Sequence, residues 1–71
     1  MAPKLKRFTA RQIIKVITSA GFSLSRQSGS HMIFYNNKGV RITVPNHASK
    51  ILHPKIVKNI LRDAEIDEEN L

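Results

Sequence analysis

The sequence predicts a small α+β domain with the order helix, three antiparallel strands, helix, as a single domain over residues 1–71. Apolar residues recur at helical spacing near both ends of the chain, and the period changes to two between residues 22 and 45. A three-stranded sheet alone cannot bury the apolar stripes of two helices. We therefore expect both helices on one face of an antiparallel sheet, with the other face left to solvent or a ligand.

The first helix is predicted over residues 8–22. Thr9 and Gln12 have the spacing of a capping box, and Phe8 and Ile13 stand at the positions of a hydrophobic staple. Gly21 is placed to adopt the left-handed conformation that ends a helix. The apolar stripe between these signals consists of Ala10, Ile13, Ile14, Ile17 and Ala20.

Three strands are predicted to follow, at residues 22–27, 30–35 and 40–44. Ser28-Gly29 separates the first two, and Asn36-Asn37-Lys38-Gly39 is a turn whose residues tolerate positive φ. In the second strand we assign Met32 and Phe34 to the core and expect His31 and Tyr35 on the opposite face. Ile33 shares that opposite face, which argues against the assignment.

The second helix is predicted to begin at Pro54, because proline suits the first helical turn, with His53 as its cap. Residues 46–52 are expected to form a loop. Beyond this helix, Asp67 is placed to cap a further turn through Glu68 and Glu69. The apolar stripe of this helix consists of Ile56, Val57, Ile60, Leu61 and Ala64.

Charge is distributed very unevenly along the chain. All 12 Lys and Arg residues precede the acidic segment 63–71, which holds all five Asp and Glu residues, and the net charge is +7. A basic surface of this kind favours a polyanion, or an acidic protein that neutralises it. No cysteine is present, so disulfides, thiolate catalysis and cysteine-based zinc sites are excluded. The absence of cysteine also favours a cytoplasmic protein. No apolar run is long enough for a membrane span.

His31 is the strongest candidate for chemistry. It follows Gly29-Ser30, whose backbone donors and hydroxyl can hold a phosphate oxygen while the imidazole accepts a proton from a ribose 2′-hydroxyl. His47 is a second candidate, either for proton transfer or for a phosphate contact. The spacing of the three histidines fits no usual zinc site, and no carboxylate precedes Asp63, so we expect neither a metal nor another cofactor. Metal-free cleavage of RNA is the chemistry left open.

Four segments of the chain form a recognisable set: Gly21-Phe22, Arg26-Gln27-Ser28-Gly29-Ser30-His31, Val44-Pro45-Asn46-His47 and Ile60-Leu61-Arg62-Asp63-Ala64-Glu65-Ile66. In order and spacing they resemble the HicA (YcfA-like) family of small toxins from bacterial toxin–antitoxin systems. The resemblance implies an αβββα fold like that of the double-stranded-RNA-binding domain. It also implies an endoribonuclease that cleaves mRNA and blocks translation.

The resemblance implies that His31 is the catalytic residue and that a HicB-like acidic antitoxin neutralises the protein. His47 corresponds to the family's loop histidine. The resemblance and the charge pattern together give a set of candidate RNA-binding residues: Lys4, Lys6, Arg7, Arg26, Gly29, Ser30, Arg41, His47 and Lys50.

Two other classes of function remain open. A domain of the same fold can bind RNA without cleaving it, through shape and phosphate contacts. Alternatively, the basic surface can serve only to bind an acidic protein, in which case RNA affinity is absent even at low salt.

Overall fold

A computed structural model describes residues 7–46 and 51–67. Within them the elements are α1 (Ala10–Ser19), β1 (Ser23–Ser28), β2 (His31–Tyr35), β3 (Arg41–Pro45) and α2 (Pro54–Asp63). The predicted αβββα order is therefore confirmed. The expected turn through Glu68 and Glu69 lies outside the described residues. In the described part of the chain, neither helix has the length and apolar character needed to cross a membrane.

The two ends of α1 are formed by the predicted residues. The Thr9 hydroxyl accepts a hydrogen bond from the Gln12 backbone N–H at 3.3 Å, and the Gln12 side chain accepts one from the Thr9 N–H at 2.9 Å. At the other end Gly21 has a φ of 99°, and the Phe22 N–H donates to the Ile17 carbonyl at 3.1 Å. This is the hydrogen bond of a Schellman motif, so the carbonyl at the helix end is satisfied.

The ends of α2 resemble those of α1, except for the residue in the left-handed conformation. His53 Nδ1 accepts a hydrogen bond from the Lys55 N–H at 3.0 Å, which confirms His53 as the cap. The C-terminal end repeats the motif of α1, with the Ile66 N–H donating to the Leu61 carbonyl at 2.9 Å. Here the left-handed position is occupied by Glu65, at a φ of 59°. A residue with a Cβ is strained in this conformation.

The three strands form one antiparallel sheet in the order β1-β2-β3. Ser28 pairs with His31, so β1 and β2 are joined by the two-residue turn Gly29-Ser30. Gly29 has a φ of 59°, as the first central residue of a type II′ hairpin turn requires. In the second turn the Asn36 side chain accepts from the N–H groups of Lys38 and Val40, at 3.0 and 2.8 Å.

The pairing of β1 with β2 contains a bulge that the sequence pattern did not predict. Leu24 pairs with Phe34 but Arg26 pairs with Ile33, so Ser25 is the extra residue. Leu24 consequently lies on the same side of the sheet as Phe34, and Arg26 lies on the other side.

Both helices pack on one face of the sheet, as predicted. Phe34 is 1% exposed, and Met32 is partly buried against the same core, so the assignment of both to the core is confirmed. Ile33 is buried as well, although it points to the opposite face. The core consists of Ala10, Ile13, Ile17, Phe22, Phe34, Ile42, Val44, Leu52, Val57, Ile60 and Leu61.

The helices leave two apolar side chains of this layer uncovered. Every residue of β1 is exposed, and Leu24 is 49% exposed although it lies on the helix side of the sheet. Ile56, which we placed in the stripe of α2, is 36% exposed and lines an open groove between α2 and β3. The helices therefore cover mainly β2 and β3.

A backbone connection that sequence periodicity did not indicate joins the starts of the two helices. Thr9 and Ile51 form an isolated antiparallel bridge, and the Leu52 N–H donates to the Phe8 carbonyl at 2.7 Å. This contact orients the chain at the entrance of each helix.

The matched C-terminal motifs of α1 and α2 predict opposite effects of substitution. Gly21→Ala should lower the free energy of unfolding by about 1 kcal/mol, because alanine is strained at this φ although its Cβ meets no atom within 4 Å. Glu65→Asn should raise it by about 0.5 kcal/mol, because asparagine tolerates the left-handed region. Urea unfolding measures both.

Glu65→Gln is the control, because it removes the same charge near the helix end and keeps the backbone strain. Equal stability of the Asn and Gln variants would show that charge, rather than backbone conformation, determines the effect.

Candidate nucleic-acid interface

The sheet face opposite the helices, here called the open face, is built from three rows of paired residues. The open face comprises Ser23, Tyr35 and Arg41; Arg26, Ile33 and Thr43; and Ser28, His31 and Pro45. Side chains of directly paired residues lie close together on one side of a sheet. This face therefore presents a histidine, a tyrosine and two arginines on rigid backbone.

His31 lies at one end of the open face, in its central strand β2. It is exposed, and it is flanked by Ser28 and Pro45. The Asn46 N–H donates to the Ser30 carbonyl at 2.6 Å, so the end of β3 is fixed to the turn that precedes His31. No hydrogen bond to the His31 imidazole occurs among the described residues. Both ring nitrogens are thus available to a ligand.

Arg26 and Arg41 supply the positive charge of the open face. Both are exposed, and no described carboxylate pairs with either of them. Asp63 is the acid closest in sequence to the sheet. Its Oδ1 lies 3.9 Å from Nε of Arg62, at the end of α2. Because the open face contains no acid, its cations are free to contact phosphates.

Ile33 lies at the centre of the open face and is 6% exposed although no helix covers it. Its paired neighbours are Arg26 and Thr43, and His31 and Tyr35 are two residues away on the same strand. The centre of the open face is therefore apolar, with charged and aromatic groups around it.

The candidate RNA-binding residues predicted from sequence fall into three groups. Arg26, Gly29, Ser30 and Arg41 lie in the sheet or in its first turn, together with His31. Arg7 is exposed and precedes α1, so it is not part of the open face. The remaining candidates, Lys4, Lys6, His47 and Lys50, lie outside the described residues.

The other described histidine has a structural role. His53 uses Nδ1 to cap α2. Among residues 7–46 and 51–67 there is no cluster of three His, Asp or Glu side chains that could hold a metal ion. Since His47 is not among them, the expectation of a metal-free site stays a prediction.

Tyr35 was not among the predicted site residues. It is 41% exposed on the same face as His31, four residues further along β2. Strand alternation placed it on that face, but the sequence alone did not show that its ring would stay uncovered.

The helix side of the domain also carries cations. The exposed basic residues of the two helices include Arg11, Lys15, Lys55 and Lys58. An open groove of about 460 Å³ runs between α2 and the outer edge of β3, with Arg41, Ile56 and Asp63 in its lining. No histidine lines the groove, so it is separate from the end of β2 that holds His31.

The fold and this face define a small αβββα domain with a basic, histidine-bearing sheet surface. The model of the family described as the HicA toxin of bacterial toxin–antitoxin systems matches residues 10–66 of the 71-residue chain. The chain therefore belongs to the HicA toxin family, which confirms the resemblance seen in the sequence. A toxin of such a system has an antitoxin as its partner. A search of curated proteins found no match to this chain.

Proposed function

We propose that this toxin is a metal-independent endoribonuclease that cleaves mRNA, blocks translation and acts in the cytoplasm. The observation that carries the proposal is the exposed imidazole of His31, on a sheet face with two arginines and no acid. Phosphates are attracted to such a face, and histidine transfers protons near neutral pH without a carboxylate or a metal.

In the proposed reaction His31 accepts the proton of a ribose 2′-hydroxyl. The 2′-oxygen forms a bond to the adjacent phosphorus, the bond from phosphorus to the 5′-oxygen breaks, and a 2′,3′-cyclic phosphate remains. Arg26 and the backbone N–H groups of the Gly29-Ser30 turn stabilise the additional negative charge on the phosphate. The leaving 5′-oxygen takes a proton from a second acid, for which we propose His47 or water.

The order of the chain supports the choice of His47. It directly follows Asn46, whose N–H is fixed to Ser30 one residue before His31. The alternative for His47 is a phosphate contact. If a His47 variant keeps its RNA affinity but no longer protonates the leaving 5′-oxygen, His47 is the acid. If the variant loses RNA affinity, His47 makes the phosphate contact.

A non-catalytic RNA-binding module is the second candidate. The observation that favours it is the set of exposed cations on the helices, since a duplex can be bound by shape and phosphate contacts alone. The two candidates differ in which face of the domain binds RNA.

The first prediction from this proposal concerns catalysis. His31→Ala should reduce cleavage of mRNA by at least about 100-fold, because a general base contributes about 10² to 10⁴ in rate. Its free energy of unfolding should change by less than about 1 kcal/mol, because the side chain is exposed and makes no described hydrogen bond. RNA affinity should persist. Wild-type cleavage should continue in EDTA and yield 2′,3′-cyclic phosphate ends or the derived 3′-phosphates.

The matched control is His53→Asn, which removes the other described imidazole and keeps an acceptor for the helix cap. It should cleave at the wild-type rate. Cleavage by folded His31→Ala protein at that rate, or its loss in EDTA, would contradict the mechanism.

The second prediction concerns the binding face. If about six cations contact phosphates, log affinity for single-stranded RNA should fall with log salt at a slope of about −4. We expect these six to be Lys4, Lys6, Arg7, Arg26, Arg41 and Lys50. Arg26→Gln and Arg41→Gln should each reduce the slope by about 0.7, because each removes one phosphate contact.

Lys55→Gln and Lys58→Gln on α2 are the controls, since they remove equal charge from the helix side. Their slopes should equal that of the wild type. If instead the Lys55 and Lys58 variants have smaller salt slopes and the Arg26 and Arg41 variants have the wild-type slope, RNA binds the helix side. That result, together with a preference for duplex RNA, would favour the non-catalytic module.

The third prediction concerns the antitoxin. We propose that it is an acidic, HicB-like protein that covers the open face. Expression of the toxin alone should arrest growth, and co-expression of the antitoxin should relieve the arrest. In vitro, RNA and antitoxin should compete for the toxin. Formation of a ternary complex with unchanged RNA affinity would place the antitoxin elsewhere on the domain.

A further inference from the structure

Tyr35 is an aromatic side chain left exposed on the open face. It is the last residue of β2, it is 41% exposed, and it does not belong to the hydrophobic core. No hydrogen bond of its hydroxyl occurs among the described residues. Core packing therefore does not explain why an aromatic residue occupies this position.

The surroundings of Tyr35 suit a planar ligand. It is paired with Ser23 on one side, where the side chain is small, and with Arg41 on the other. Paired side chains have Cβ atoms about 4.5–5.5 Å apart, so the guanidinium is within reach of a group that contacts the ring. An aromatic ring beside an unpaired cation is the combination by which single-stranded nucleic acids are bound, with a base on the ring and a phosphate at the cation.

The position of Tyr35 relative to His31 determines which part of a bound RNA strand would contact Tyr35. The two residues share a face, and four steps along a strand correspond to about 13 Å. A base at Tyr35 is therefore not next to the phosphate at His31 but further along the same RNA strand. Bases of a duplex are already stacked on their neighbours, so only an unpaired base can occupy this position.

We infer that Tyr35 and Arg41 form a subsite that stacks an unpaired base of the RNA substrate, away from the scissile phosphate. The subsite rests on the proposed function, and it restricts the substrate class to single-stranded RNA. Its location on the rigid end of β2 fixes the register of the RNA strand relative to His31.

Intrinsic fluorescence reports directly on this residue. Tyr35 is the chain's single tyrosine, and tryptophan is absent. The experiment titrates the His31→Ala protein, which binds without cutting, with an unstructured RNA oligonucleotide and with an abasic ribose-phosphate oligomer of equal length. The RNA should quench the tyrosine emission as it binds. The abasic oligomer should bind through phosphate contacts without quenching, and duplex RNA should quench less.

Affinity measurements on variants of the same His31→Ala protein complete the test. Tyr35→Leu should weaken binding of the RNA oligonucleotide by at least about fivefold, while Tyr35→Phe should retain the affinity because it keeps the ring. Leu24→Ala is the control, since Leu24 is an apolar residue on the other side of the sheet and, at 49%, is somewhat more exposed than Tyr35. It should bind RNA as tightly as the parent.

The outcomes separate the subsite from the proposed function. RNA binding without quenching, and with no effect of Tyr35→Leu, would overturn the subsite and leave the endoribonuclease proposal intact. Absence of RNA binding by the parent protein would overturn both. If Tyr35→Leu weakens antitoxin binding but not RNA binding, Tyr35 belongs to a protein interface and the inference is wrong.

Discussion

A shift of β2 by one residue against its neighbours would turn Phe34 towards solvent and His31 into the core, because strand side chains alternate between the two faces. The register of β2 therefore determines the core and the candidate site together. Two features hold it in place. The Gly29-Ser30 turn sets the pairing of Ser28 with His31, and the 2.6 Å hydrogen bond from Asn46 to Ser30 fixes β3 to the same turn.

The bulge at Ser25 in the edge strand β1 determines which side chains of β1 lie on each face of the sheet. Without the bulge, strand alternation would put Leu24 and Arg26 on the same face. Either Leu24 would lie on the open face or Arg26 would lie on the helix side. The extra residue lets Leu24 lie on the helix side while Arg26 joins the open face. β1 is an exposed edge strand, and a bulge also makes such an edge less suited to pairing with another strand. The same irregularity thus adds a cation to the candidate site and interrupts the exposed edge.

The parts of the fold that depend on local signals were predictable from sequence. The capping box of α1, the left-handed Gly21, the proline start of α2 and the cap by His53 each involve residues within a few positions of one another. Their stereochemistry leaves few alternatives, and all four predictions are confirmed. The placement of Met32 and Phe34 also followed from alternation, once one face had to meet two helices.

The features that the sequence did not indicate depend on contacts between distant parts of the chain. The bridge from Thr9 to Ile51 joins segments with no shared periodicity, and the strained Glu65 conforms to a motif that normally uses glycine. Ile33 looked like an argument against the core assignment. It is buried although it lies on the open face, which alternation alone cannot reveal.

The candidate site combines a rigid backbone with an unrestrained imidazole. His31 lies on a strand beside a fixed turn, yet no described side chain orients its ring. Enzymes that use a histidine base usually hold it with a hydrogen bond from a neighbouring group. In this chain the acids that could do so are confined to the C-terminal end. In the proposed reaction, bound RNA itself would orient the imidazole, through phosphates at Arg26 and the Gly29-Ser30 turn. Catalysis would thereby be coupled to correct seating of the substrate, and a partner that covers the open face would block both at once.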